Sequence, residues 1–159
     1  HTETLKLVYI IIFIIVAAVL GPLLSVLPSK HQRAVASFRD RARQAGILVQ
    51  LREPKNIPAR LQRASDESLV CYSQRIKPAM RGAEPELWVR SRAGWESRSG
   101  NPTPSVIMKV TEHVEVIVVS GEDVQVFWDE RGGDAAYSEV EKLIKSGIED
   151  AFSEGREGI

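Results

Sequence analysis

One cysteine, Cys71, stands in 159 residues, so no disulfide can form within the chain and packing alone must hold the fold. A lone thiol fits a reducing compartment. Cys71 sits in the strand-like run Leu69-Val70-Cys71-Tyr72 with no His or basic neighbour placed by sequence to activate it, and it reads as a small core residue. Other absences are as informative. No His-Glu-x-x-His, Gly-x-Ser-x-Gly, phosphate-loop or calcium-loop spacing occurs, so the common metal, acyl-transfer and nucleotide signatures are missing. The first residue is His1, which fits a fragment or a processed form.

Charge is also missing, locally. Residues 7–29 carry none. Residues 7–27 form a helix-length apolar run that spans about 31 Å at 1.5 Å per residue, close to the hydrocarbon thickness of a bilayer. Its β-branched run Tyr9-Ile10-Ile11-Ile12-Phe13-Ile14-Ile15-Val16 would favour a strand in water. In lipid the backbone must satisfy itself, so a helix is expected. Gly21-Pro22 predicts a kink or a loosened last turn. The alternative is a cleaved signal peptide with Val16-Ala17-Ala18 as the small-residue site, but a cut there leaves residues 19–27 as an exposed apolar stub. The segment therefore reads as an uncleaved anchor. Residues 1–6 form a short tail in which Glu3 and Lys6 cancel, whereas Lys30, Arg33, Arg39, Arg41 and Arg43 follow the span against Asp40 alone. The positive-inside rule then puts the N-terminus outside and the rest of the chain in the cytoplasm.

What is present beyond residue 28 is globular in composition. Residues 28–46 form a basic juxtamembrane segment. Within it, 31–45 is a predicted helix with Ser29 as cap, Gly46 as stop, and Val35, Phe38, Ala42 and Ala45 on one apolar stripe. Residues 47–153 are expected to form an α+β domain, a small mainly antiparallel sheet packed by a C-terminal helix, with 154–159 as a tail. Strands are expected at 47–51 and 68–76, with a helical turn at 59–63 between them and a loop at 78–85. A hairpin over 86–90 and 94–98 carries Trp88 and Trp95. Residues 106–110 fit a strand or a short helix equally. The clearest signal is a hairpin in which Val114, Val116 and Val118 precede the turn at 120–123 and Val124, Val126 and Trp128 follow it. Arg131-Gly132-Gly133 breaks the strand, Asp134 is placed to cap the last helix, and residues 135–152 repeat apolar positions with a helical period. Strands first and a helix last is also the order of pleckstrin-homology-like barrels, so a lipid- or ligand-binding barrel is the alternative. That reading expects an apolar pocket under the last helix.

The charges segregate. Residues 28–63 hold nine basic and two acidic side chains, and residues 101–159 hold five basic and thirteen acidic. The basic set fits contact with anionic lipid headgroups through Lys30, Arg33, Arg39, Arg41 and Arg43. It also fits a solvated helix face paired with the acidic C-terminal helix. Nucleic-acid binding is disfavoured, because only Phe38 accompanies the basic residues. The acidic end is expected to point away from the membrane.

Few residues offer chemistry. His31 and His113 are far apart in sequence and do not make a metal site by spacing. Residues 129–134, Asp-Glu-Arg-Gly-Gly-Asp, are too acidic to hold an anion and read as strand end, turn and helix cap. Catalysis would need Asp129, Glu130 and His113 in one cleft. Serine chemistry lacks a base and an orienting group. No cofactor or metal is expected, and the chain reads as non-enzymatic.

The apolar helix followed by Pro28-Ser29-Lys30-His31-Gln32-Arg33 resembles small single-span bacterial inner-membrane proteins with a cytoplasmic domain, the YajC family among them. In that family an Arg-Pro-Gln-basic stretch marks the membrane exit, followed by a Gly-Asp motif and paired glycines. This chain has Pro-Ser-Lys-His-Gln-Arg there and departs from both later motifs. The resemblance covers about 30 residues. It implies an accessory subunit of a translocase or of another membrane complex, with a membrane-protein partner and the lipid bilayer as the surroundings.

Overall fold

The computed structural model describes residues 1–62, 68–75 and 85–145. Outside these lie the end of the turn expected at 59–63, most of the loop expected at 78–85, the last part of the helix expected over 135–152 and the tail at 154–159. The chain divides into two compact units, His1–Arg33 and Ala34–Ile159.

In the first unit a helix α1 runs over Thr2–Val26. Its side chains are all exposed, and it is long and apolar enough to cross a membrane. Pro22 stays inside the helix, where it has no N–H to offer the Ala18 carbonyl. Its own carbonyl accepts the Ser25 hydroxyl at 2.7 Å. The helix stops at Val26 and Leu27 is extended, one residue short of the expected end. At the other end it takes in the polar residues from Thr2. Ser29 and Gln32 then form a reciprocal cap. The Gln32 N–H donates to Ser29 Oγ at 3.2 Å, and the Ser29 N–H donates to Gln32 Oε1 at 2.9 Å.

That cap opens helix α2, Lys30–Gln44. The boundary between the units falls inside it, at Arg33 and Ala34. Its close is set by Gly46 at φ +79°. The Ile47 N–H reaches back to the Ala42 carbonyl at 2.8 Å and the Gly46 N–H to the Arg43 carbonyl at 3.1 Å. This left-handed stop brings Ile47 under Ala42, and both are buried.

The second unit is α+β, with one six-stranded antiparallel sheet. The strands are β1 Leu48–Gln50, β2 Val70–Arg75, β3 Glu86–Ser91, β4 Gly94–Ser97, β5 Val114–Val119 and β6 Asp123–Trp128. Their spatial order is β1-β2-β6-β5-β3-β4. A short 3-10 turn, Ala59–Leu61, precedes β2. The ambiguous segment after residue 104 is a helix, α3, Ser105–Met108. The last helix, α4, is recorded over Gly133–Lys145. Among the described residues β1 and β4 are free edges, so the sheet is open and is not the closed barrel of the alternative reading.

The two faces of the sheet are covered differently. One face carries Tyr72, Trp88, Ile117, Val124, Val126 and Trp128 against Phe38 and Ala42 of α2 and Tyr137, Val140 and Ile144 of α4. Here the expected helical stripes bury as their spacing requires. Phe38 stacks on Tyr137 with centroids 5.3 Å apart, and Trp128 meets the Tyr72 edge at 5.4 Å. Tyr137, Val140 and Ile144 are essentially inaccessible, so among the described residues the α4 stripe packs directly on the sheet at these three positions. The other face carries Cys71, Leu87, Val89, Val116 and Phe127. Its cover is an irregular strap, residues 51–62, which contributes Ile57 and Leu61.

The valine hairpin forms, with one correction. Val114, Val116 and Val118 do not share a face. Val114 pairs with Trp128 and Val116 with Phe127, so Glu115 is an extra residue opposite nothing. This bulge puts Val114 on the helix-covered face and Val116 on the other.

Candidate functional site

The five basic residues of the α2 segment do not act as one patch. Lys30 and Arg33 are exposed in the first unit. Arg43 is exposed, 3.9 Å from Asp40 one turn back. Arg39 and Arg41 instead turn to the corner where β6 leads into α4. Arg39 makes a two-pronged pair with Glu130, Nε to Oε1 at 2.9 Å and Nη2 to Oε2 at 2.7 Å. Tyr72 donates its hydroxyl to the same Oε1 at 2.8 Å. Glu130 is buried, and its backbone is left-handed at φ 57°. That conformation aims the carboxylate back under α2, where burial is tolerated because both oxygens are engaged. The hydrogen bond to Glu130 raises the Arg39 pKa against the opposing effect of burial. Burial first, and then the charge of Glu130, hold the Tyr72 phenol far above its ordinary value.

Arg41 reaches Asp134 at 3.1 Å and lies over the Tyr137 ring, 4.4 Å from its centroid. Asp134 falls in the first turn of α4 and not before it, because the chain enters the helix through Gly133. It therefore serves as an ion-pair partner at the positive end of the helix, in place of the expected cap. Of the two ion pairs at this corner only Arg41 to Asp134 joins α2 to α4, since Glu130 precedes the helix.

His113 and Asp129 come together across the strand ends, Nδ1 to Oδ2 at 3.1 Å. Asp129 Oδ1 also accepts the Arg131 N–H at 2.9 Å. Gly132, at φ +91°, lies flat against this histidine, and a Cβ there would come 2.5 Å from His113 Cδ2. Only glycine fits this corner. Glu130 does not join the pair, since Arg39 and Tyr72 hold it. His113, Asp129 and Glu130 therefore do not converge. Among the described residues no three His, Cys, Asp or Glu side chains are grouped as a metal would require.

The tryptophans are structural. Trp128 is fully buried and Trp88 nearly so, while Trp95 is half-buried under the Arg90 guanidinium at 4.6 Å. Cys71 is buried beneath Arg52, whose Nη2 lies 3.6 Å from its sulfur. Burial raises the thiol pKa more than Arg52 lowers it, so it is not a poised nucleophile.

The strap side holds a feature that the sequence did not announce. Between residues 53–62 and strands β3 and β5 lies a cleft of about 500 Å³. Its floor is Ile57, Leu61, Leu69, Val89 and Val116, and Glu53 and Glu115 stand among its polar lining. No spacing could have revealed it, because a non-repetitive strap and a bulge shape it. No protein family, curated protein or solved structure matches this chain.

Proposed function

We propose that this protein is a single-span accessory or interaction protein of the bacterial inner membrane. In this reading α1 is the anchor, the N-terminus is outside, and the α+β domain faces the cytoplasm. The reading is non-enzymatic, and its partner is another membrane protein. The observation that carries it is the charge step along the chain: no charge from residue 7 to 29, then Lys30, Arg33, Arg39, Arg41 and Arg43. Contact with anionic headgroups falls first to Lys30 and Arg33, because Arg39, Arg41 and Arg43 already have carboxylate partners. A helix this apolar, exposed along its whole length, needs a lipid or protein surface in any case.

Protease accessibility tests the orientation. In spheroplasts the domain should resist external protease and yield to it only after lysis. Cleavage from outside in intact spheroplasts would overturn the orientation. Release of the domain into the soluble fraction, without α1, would overturn the anchor. Pulldown of the full chain from detergent-solubilised membranes should recover a membrane protein at constant stoichiometry, and repeated recovery of the chain alone would overturn the accessory role.

A further inference from the structure

The described residues of the second unit cover nearly all of their large apolar side chains. From Ala34 onward only Leu48, Leu51 and Met108 are exposed, and two of these three stand together at the β1 edge. Leu48 is 56% exposed and Leu51 75%. Val49 packs against the helix-covered core, so the strand is held in place while its leucines stay outside.

The two edges of the sheet are finished differently. At β4 the Trp95 carbonyl accepts the Thr103 hydroxyl at 3.3 Å. The Ser97 and Arg98 carbonyls accept Arg60 Nη2 at 3.4 and 3.1 Å, and Glu96 puts a charge on the strand. At β1, among the described residues, no side chain hydrogen-bonds to the backbone of Leu48–Gln50, and residues 47–51 carry no charge. Edges are ordinarily protected by charge or by cover, and β1 has neither.

The surrounding charge selects the occupant. Residues 41–62 hold five basic side chains and one acidic, Glu53. Arg41 is engaged by Asp134, and Arg52 lies against Cys71 and Phe127. Lys55 and Arg75 are exposed, and among the described residues neither has a carboxylate partner. Arg75 lies on β2 two residues beyond Ser73, which faces Leu48 across the ladder. Asp123, opposite Arg75, already accepts Ser120 and Gln125. Exposed leucines among cations suit the boundary of an anionic bilayer. A second copy paired along β1 would bring the same cations together, which charge opposes.

We infer that the β1 edge is a second membrane contact of this protein, made by the domain itself with anionic lipid. Leu48 and Leu51 enter the boundary between headgroups and acyl chains, and Lys55 and Arg75 meet headgroup phosphates. The free N–H and C=O groups of β1 stay among hydrated headgroups, because hydrocarbon would leave them unsatisfied. The inference rests on the membrane reading of α1, whose anchor keeps the domain at high effective concentration beside the bilayer.

The test uses the full chain in nanodiscs of mixed phosphatidylcholine and phosphatidylglycerol, doped with lipid that carries a nitroxide on its upper acyl chain. Methyl NMR reads the broadening. The isoleucines of α1 report the anchor, Leu48, Leu51 and Val49 report the edge, and Met108 is the exposed control. Leu48 and Leu51 should lose most of their intensity while Met108 keeps its own. Discs of phosphatidylcholine alone should weaken the effect several-fold, as should Lys55→Gln with Arg75→Gln. Leu48→Ser with Leu51→Ser, both at exposed positions, should return Val49 to full intensity, and circular dichroism confirms the fold. Broadened α1 isoleucines with an edge as sharp as Met108 overturn the inference and leave the anchor standing. Sharp α1 isoleucines overturn the membrane reading and this contact with it. Equal broadening at Met108 overturns the location, and equal broadening without anionic lipid overturns the role of charge. Edge shifts that follow the number of chains per disc, without broadening, assign the edge to a second copy and overturn the lipid contact.

Discussion

The two faces of one sheet are closed by opposite means. On one face α2 and α4 lay regular stripes across it, and Phe38, Trp128, Tyr137 and Tyr72 pack ring against ring. On the other face irregular chain supplies two anchors, Ile57 and Leu61, and a cleft remains. The strands supply apolar side chains to both faces alike. What differs is the periodicity of the cover. A helix repeats its apolar side chains often enough to match the sheet, and a proline-containing strap does not. Stability should therefore concentrate on the helix-covered face and accessibility on the other.

The largest effect expected is at the centre of the filled face. Trp128→Ala should cost about 4 kcal/mol in a urea titration of the full chain in detergent micelles, since a large ring leaves a cavity that rigid neighbours cannot collapse. Next is Arg39→Ala, which strands the buried Glu130 carboxylate and should cost about 3 kcal/mol. Arg39→Ala paired with Glu130→Gln should recover part of that loss, which separates an unpaired charge from lost packing. On the strap face Leu61→Ala should cost about 2 kcal/mol, the low end for a buried leucine, because the cleft beside it already limits its contacts. A loss equal to that of Trp128→Ala would erase the contrast between the faces.

Alkaline pH probes both faces at once, because Cys71 and Tyr72 are adjacent and point to opposite sides. Both groups have raised pKa values in the fold. The unfolded chain releases these protons near ordinary values, about 8.5 for Cys and about 10 for Tyr, while the folded chain retains them. The stability they provide is thus complete below those values and declines above them, by up to about 1.4 kcal/mol per pH unit for each group. Cys71→Ala should flatten the onset of the decline, and Tyr72→Phe should flatten its upper part, in urea titrations from pH 8 to about 11. The smallest effect belongs to Arg41→Ala. Its pair with Asp134 is exposed, and the loss should stay under about 0.5 kcal/mol.

The sequence exposed whichever parts repeat. The α2 and α4 stripes, the Ser29 start and Gly46 stop, and the pairing of β5 with β6 all rest on periods or on local turn chemistry, and the structure shows each of them. The bulge was illegible because Val114, Val116 and Val118 alternate in sequence whether or not Glu115 is squeezed out of the ladder. The Arg39–Glu130–Tyr72 cluster was illegible for another reason. Its members are 91 and 58 positions apart, and only the completed sheet brings them together. The carboxylate partners of Arg39 and Arg41 were illegible as well, because a run of charge in sequence does not say which way a helix turns each side chain. The strap had no pattern to read, so the cleft beneath it had none either.

The bulge at Glu115 has a further consequence for how this domain tolerates change. Without that residue, Val114 would directly precede Val116, and strict alternation would still send Val114 to the helices and Val116 to the strap. Both cores would keep every member they now have. Deleting Glu115 should thus give a shorter, regular hairpin in the same register, and the domain should lose a carboxylate without losing its fold. In this strand one residue is separable from the architecture around it, which leaves its identity open to selection for something other than folding.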